Sequence, residues 1–282
     1  MQKTITYLYP IVSKASSLKV FQDRTNQIKA FYFTKDNYKE IEAMESSKNY
    51  AIYFLFDKSE ESSNKVYVGQ SMNGIGRIAE HIRNKDFWSH CILFVTDNNS
   101  FDKLAIDYME YAFIKRLKKT SYVLINKDLR TTEPNVSIYD KPNLDAYIEQ
   151  IEFLLNAEGV VFNVLQSGES ARKYYCPKTS KYQARLFVKD GQFVLAKGSI
   201  IQRPIESSKN WKSDQFYRRF NEIIDGYIND EKVEENEGKL TLLLDLPCSS
   251  PSFPGSLVTG HATNGWDFFK DLNELRLMEE EV

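Results

Sequence analysis

Hydrophobic and polar positions recur with different periods along the chain, and the periods mark its elements. "YAIYFLF" and "KVYVGQ" are apolar-aromatic runs on either side of "DKSEESSN", Asp57 to Asn64. This pattern predicts an antiparallel hairpin with a long polar turn. From Gly74 the period lengthens. Ile75, Ile78, Ala79 and Ile82 fall at helical spacing. Cys91 to Asp97 reads as a buried strand, and "DNNS" as a turn with a helix N-cap at Ser100 or just before it. A helix of about five turns is expected over "FDKLAIDYMEYAFIKRLKK". Tyr122 to Asn126 reads as a short extended piece. "NLDAYIEQIEFLLNAEG" is an amphipathic helix with Gly159 as its C-cap.

Beyond a polar stretch, Ser167 to Ala184, the pattern restarts. "KDGQ" sits between two apolar runs as a hairpin turn. Ser213 is the expected N-cap of a helix striped by Phe216, Phe220, Ile223, Ile224 and Tyr227. An acidic loop, Asn229 to Lys239, leads to a strand over "KLTLLLDLP", a short helix over "SSPSFPGSLVTG" and a tight turn at Asn264-Gly265. The fold class is α+β. The expected organisation is an N-terminal extension over 1–48 packing on a module over 49–160, a linker or arm over 161–184, and a small C-terminal α+β domain over 185–282.

Composition narrows the function without deciding it. The 282 residues carry a net charge of −2, so no overall basic field announces nucleic acid. Neither a signal peptide nor a membrane-length apolar run is read, so a cytoplasmic protein without a membrane partner is expected. Three scattered cysteines and three scattered histidines give no zinc spacing.

The candidate chemistry lies between residues 53 and 126. Tyr53 and Tyr67 fall on the two hairpin strands. Read alone, they are aromatic core residues with edge hydroxyls. Arg77 and His81, four apart, share a helix face behind Gly69, Gly74 and Gly76. An Arg fork suits phosphate, and an imidazole suits proton transfer near neutral pH. The same pair also fits a solvated helix edge. Glu110 sits between Ile106 and Ile114 on its helix. Helix geometry alone favours a wet-edge carboxylate paired with Arg116 or a lysine, and the alternative is a ligand for a hard cation.

The order of these residues resembles a known signature. "AIY" at Ala51–Tyr53, "YVG" at Tyr67–Gly69, then Arg77, His81, Glu110 and Asn126 are similar to the ordered motif of the GIY-YIG nucleases. The departures are Ala51, Val68 and the long polar insert. The resemblance implies a small three-stranded antiparallel sheet flanked by helices, and a divalent-metal-dependent endonuclease hydrolysing phosphodiester bonds in DNA. Tyr53, Tyr67, Arg77, His81, Glu110 and Asn126 would be catalytic. Glu110 would hold Mg2+, with Mn2+ as a substitute. A phenolate of one tyrosine, or His81, would take the proton of the attacking water, and Asn126 would orient. Restriction, anti-phage defence or DNA processing would follow from such an activity. The alternative is a catalytically silent nucleic-acid-binding or regulatory protein on the same scaffold. The C-terminal part looks like a small domain of unknown function that often follows such modules, and target binding is expected of it.

Charge adds candidate contacts. Lys115, Arg116, Lys118 and Lys119 form a basic run, and Arg172, Lys173, Lys178 and Lys181 interleave with tyrosines. Basic residues set between aromatic rings suit a nucleic-acid strand; a flexible linker fits the second group equally well, and a solvated helix end fits the first better. DNA is the expected partner. RNA stays open, as does a homodimer or a protein partner.

Overall fold

The computed structural model describes residues 3–10, 17–57, 65–120, 122–126, 132–160, 173–189, 191–204 and 211–275, the side chains of 211–215 excepted. The chain divides into two units, one built mainly from residues before 163 and the other mainly from those after, with 118–123 belonging to the latter.

The first unit opens with three strands, β1 (Ile5–Leu8), β2 (Leu18–Asp23) and β3 (Ile28–Thr34), and a short helix α1 (Tyr38–Glu42). The hairpin follows as β4 (Ala51–Asp57) and β5 (Lys65–Ser71), then α2 (Gly76–Asn84) and β6 (Trp88–Thr96). Next come α3 (Lys103–Leu117), β7 (Val123–Leu124) and α4 (Lys141–Ala157). The strands form one sheet in the order β1-β2-β3-β6-β4-β5-β7. The α+β mixture is as expected, but the sheet of this unit has seven strands rather than three. The reason is β3. It pairs antiparallel with β6 along its whole length, from Ile28 opposite Thr96 to Thr34 opposite His90. Strands β1, β2 and β3 are therefore part of the sheet.

Strand β4 lies between β5 and β6 and is buried at every position except Asp57. Such burial needs cover on both faces. Ala51, Tyr53 and Leu55 join Ile75 and Ile78 in one core cluster. Phe54 meets Phe113 of α3 edge-to-face, ring centroids 5.0 Å apart. The cap of α3 is not at Ser100. Asp102 Oδ1 accepts a hydrogen bond from the Ala105 N–H at 2.7 Å, while Ser100 is tied back to Asn98. A carboxylate at the N-cap also meets the positive end of the helix dipole.

The second unit contains β8 (Leu186–Lys189), β9 (Gln192–Leu195), β10 (Ile200–Ile201) and α5 (Trp211–Asn229). Then follow β11 (Val233–Asn236), β12 (Lys239–Leu242), β13 (Leu246–Cys248), α6 (Ser252–Thr259) and α7 (Gly265–Phe268). Two three-stranded sheets result, β10-β12-β11 and β13-β9-β8. The α5 stripe of Phe220, Ile223, Ile224 and Tyr227 packs with Leu240, Leu242, Leu246, Leu257 and Val258. Ser213 as a cap lies outside the described side chains. Three local expectations change here. The acidic loop contains β11, hydrogen-bonded to β12. The "KLTLLLDLP" strand splits into β12 and β13, which pair in different sheets. Asn264-Gly265 begins α7, with Asn264 Oδ1 accepting from Trp266 N–H, so its turn chemistry serves as a helix cap. The residues just before β8 also fold into this unit. Tyr175 is buried and exchanges both backbone hydrogen bonds with Leu186, at 2.6 and 2.9 Å. Among the described residues no helix is long and apolar enough to cross a membrane.

Candidate active site on the first unit

The β4–β5 register sets the site. Tyr53 lies opposite Gly69. A Cβ on Gly69 would stand 2.3 Å from the Tyr53 hydroxyl, so the missing side chain is the space the phenol occupies. There the Tyr53 Oη lies 2.7 Å from His81 Nε2. Tyr67, two residues before Gly69, places its ring 6.2 Å from that of Tyr53 and 5.2 Å from His81, the latter edge-on. Gly74 has φ +40, and a Cβ there would meet the Ser47 carbonyl at 1.9 Å. The same carbonyl accepts from Ile75 N–H at 2.8 Å. The glycine turn therefore fastens the start of α2 and aims His81 back at β4.

Burial governs the titration of this cluster. Tyr53 is 1% exposed. Burial, then the neighbouring Tyr67, raises its pKa well above the ordinary tyrosine value. The Arg77 guanidinium opposes the rise, and Glu110 adds to it. Tyr67, Arg77 and Glu110 thus all lie within electrostatic reach of the Tyr53 hydroxyl. Burial, then Lys85 and Arg77, pushes His81 down to about 4. At neutral pH the pair is a neutral phenol on a neutral imidazole. The phenol O–H donates to Nε2 in the tautomer that carries its proton on Nδ1. A Tyr53 phenolate, one of the bases expected from sequence, is disfavoured in this environment.

The other expected residues sort by what they touch. Arg77 is half-exposed and paired with Glu80 on its own helix. Asn126 is a clamp. Its Oδ1 accepts from the Val68 N–H at 3.1 Å and its Nδ2 donates to the Val68 carbonyl at 2.7 Å. Both ends of the amide are engaged, so Asn126 fixes β5 next to Tyr67 and positions rather than reacts. Glu110 is half-buried on α3. Its expected partner Arg116 instead pairs with Glu152 at 2.5 Å. One residue escaped the sequence reading. Lys85, four beyond His81, holds its Nζ 3.1 Å from the Tyr67 ring centroid. Its i, i+4 spacing from His81 was the available signal. The site therefore joins two tyrosines, a histidine and two cations, with a carboxylate in range.

Among the described residues no three His, Cys, Asp or Glu side chains cluster as a metal cage. The donors present are hard oxygens, chiefly the Glu110 carboxylate. A magnesium ion that keeps most of its waters can use one such carboxylate with substrate phosphate oxygens, so this set fits that kind of ion and not zinc.

Of the basic residues, Lys115 and Lys119 are exposed, Arg116 is paired as above, and Lys118 lies within charge range of buried Lys232 in the second unit. Arg172 lies outside the described residues. Lys173 stands 5.1 Å from the Tyr175 ring centroid, and Lys181 5.2 Å from that of Tyr182. Lys178 is exposed.

Comparison with known families corrects one expectation and supplies one match. Residues 174–280 match a family described as a domain of unknown function (DUF4357). That is less than half of the chain, and the match begins where Tyr174 and Tyr175 enter the second unit. No nuclease family is found on residues 49–126, so the resemblance to the GIY-YIG nucleases does not hold as family membership. The two triplets lack the first Gly and the second Ile of that signature, at Ala51 and Val68. No curated protein and no solved structure matches the chain.

Proposed function

We propose that the first unit is a divalent-metal-dependent phosphodiester hydrolase acting within nucleic-acid strands, with DNA as its substrate. The observation that carries the reading is the Tyr53–His81 hydrogen bond at 2.7 Å, with Tyr67 edge-on to the same imidazole and cationic Lys85 over the Tyr67 ring. Buried Tyr53 and clamped Asn126 hold this arrangement fixed.

In hydrolysis, water oxygen bonds to phosphorus, the bond from phosphorus to the leaving oxygen breaks, and a water proton ends on the leaving group. Arg77 and Lys85 stand where charge builds on the phosphate oxygens. Release of Arg77 from Glu80 to a phosphate exchanges one anion for another. The Tyr67 hydroxyl orients the water, and Tyr53, donating to Nε2, holds the His81 imidazole against the Tyr67 ring. Magnesium at Glu110 would supply charge neutralisation of the scissile phosphate.

The test uses the full chain on plasmid, labelled single-stranded DNA and RNA, with magnesium or manganese against EDTA. Cleavage is expected with metal only, reduced about 100- to 1,000-fold in Glu110→Ala and Arg77→Ala. Folded protein that cuts none of the three overturns the reading. Binding in EDTA would then leave a catalytically silent nucleic-acid-binding protein.

A further inference from the structure

The second unit carries a surface unrelated to that chemistry. Three hollows of about 340, 470 and 300 Å3 share one wall residue, Tyr182. Their rims bring together residues distant in sequence: Lys178 and Lys181, Arg185, and Lys239 from β12. All four are exposed. Among the described residues, none of Lys178, Lys181 and Lys239 has a salt-bridge partner. The acids at the same rims are engaged. Glu235 faces Arg203 at 3.9 Å, and Asp267 accepts from Asn264 and Asn273. Unpaired cations on a folded rim hold a positive potential that an anion can answer.

The ring at the centre is fixed. Phe268 meets Tyr182 edge-to-face at 5.4 Å. Lys178 N–H donates to the Phe268 carbonyl at 3.0 Å, and Gln183 O accepts from Ile200 N–H at 2.7 Å. A half-buried tyrosine held this way loses little freedom when a planar group stacks on it. Nearby, Arg185 covers exposed Tyr174 with its guanidinium 5.1 Å from the ring centroid. A fixed ring such as Tyr182 flanked by unpaired lysines suits a single strand, a base on the ring and phosphates on the ammonium groups.

We propose that this face binds single-stranded nucleic acid, with Tyr182 stacking a base and Lys178, Lys181 and Lys239 holding phosphates. The proposal does not depend on cleavage by the first unit, and its test is built to keep the two apart. The full chain carrying Glu110→Ala is titrated in EDTA with a fluorescein-labelled 20-mer of deoxythymidine over a range of salt. Lys181→Gln with Lys239→Gln should reduce the steepness of log affinity against log salt by about 1.4, two phosphate contacts at about 0.7 each. Tyr182→Phe should bind like the parent, and Tyr182→Leu about 5- to 100-fold more weakly. Unchanged affinity and slope in the folded lysine variant overturn the proposal, whether or not Tyr182→Leu folds. Equal affinities of the Phe and Leu variants overturn the stacking role. Binding of a decaglutamate peptide with no binding of the 20-mer overturns it in favour of an acidic protein partner. Binding without cleavage in the parent background leaves this proposal standing and removes the one before it.

Discussion

Each unit buries a cluster of titratable side chains, and the two clusters differ in where their polar chains end. In the first unit, Tyr53 and His81 are buried, but the network runs outward to half-exposed Tyr67 and Arg77. In the second, Lys232 is fully buried. Its ammonium donates to Asp230 Oδ2 at 3.1 Å and to the Tyr122 carbonyl, and stands 5.4 Å from the Tyr227 ring centroid. Burial depresses its pKa to about 8, against the pull of Asp230. Both clusters are strongly shifted, so a shifted pKa alone does not mark a reactive site. The sealed cluster ties elements together. The one that opens to solvent can meet a substrate.

The largest test of this contrast is to break the sealed cluster. Lys232→Ala leaves Asp230 buried without its cation, and removal of one partner from such a pair costs about 3–5 kcal/mol. Urea melts should show that loss, while cleavage per folded molecule stays at the parent level. A variant as stable as the parent would mean that Asp230 reaches solvent, and the contrast would lapse.

A medium effect should come from closing the gap beneath Tyr53. In Gly69→Ala the new Cβ must displace the hydroxyl it would meet at 2.3 Å, separating Tyr53 from His81. Overpacking of this kind costs about 1–3 kcal/mol. Here cleavage should fall as well, more than in Tyr53→Phe, because Tyr67 on the same strand shifts too. Parent stability and parent cleavage together would show that Tyr53 swings aside freely, and that the 2.7 Å bond organises nothing.

These two residues also show what was readable from sequence. Gly69 was legible as one of three glycines ahead of Arg77 and His81, but not as the space the Tyr53 hydroxyl fills. Lys232 was hidden, because "NDEKVEENEGK" has the composition of a solvated loop and its burial is against Tyr227 of α5 and the Tyr122 carbonyl. The hairpin, α2, α3 and α4 announced themselves through period. The β2 and β3 alternation at Leu18, Val20, Phe31 and Phe33 was equally present. Their place beside β6 was not, since register between distant strands is set by the assembled core. The order Tyr53, Tyr67, Arg77, His81, Glu110 was legible as a candidate set, of which the structure brings Tyr53, Tyr67 and His81 into contact, whereas the use of Asn126 as a strand clamp depends on where β5 ends up.

The smallest effect, and the one that separates the units by solvent alone, is acid. His81 and His90 both lie in the first unit and both are pushed to about 4, each by burial first, then by Lys85 and Arg77 for His81 and by Lys19 for His90. His90 is held between the rings of Tyr32 and Phe56, each 5.1 Å away. His261 of the second unit is exposed. An unfolded histidine takes up its proton near 6.5, the folded ones only near 4, so between these values the unfolded chain binds more protons. Stability must therefore fall as pH drops from about 6.5 to 4, by on the order of 1 kcal/mol per histidine at pH 5.5. Asp23 acts lower. Burial works to raise its pKa, but hydrogen bonds from Thr25 and Asn26 outweigh it, so its contribution disappears only below about 3.8. Hydrogen exchange at pH 7 and 5.5, corrected for intrinsic rates, should show β4 and β6 losing protection while β9 and β12 keep theirs. His90→Gln, away from the proposed chemistry, should remove about half of the loss. Equal loss of protection in both units would trace the acid response to groups other than these histidines, and would leave the openness of the first cluster to be judged on cleavage alone.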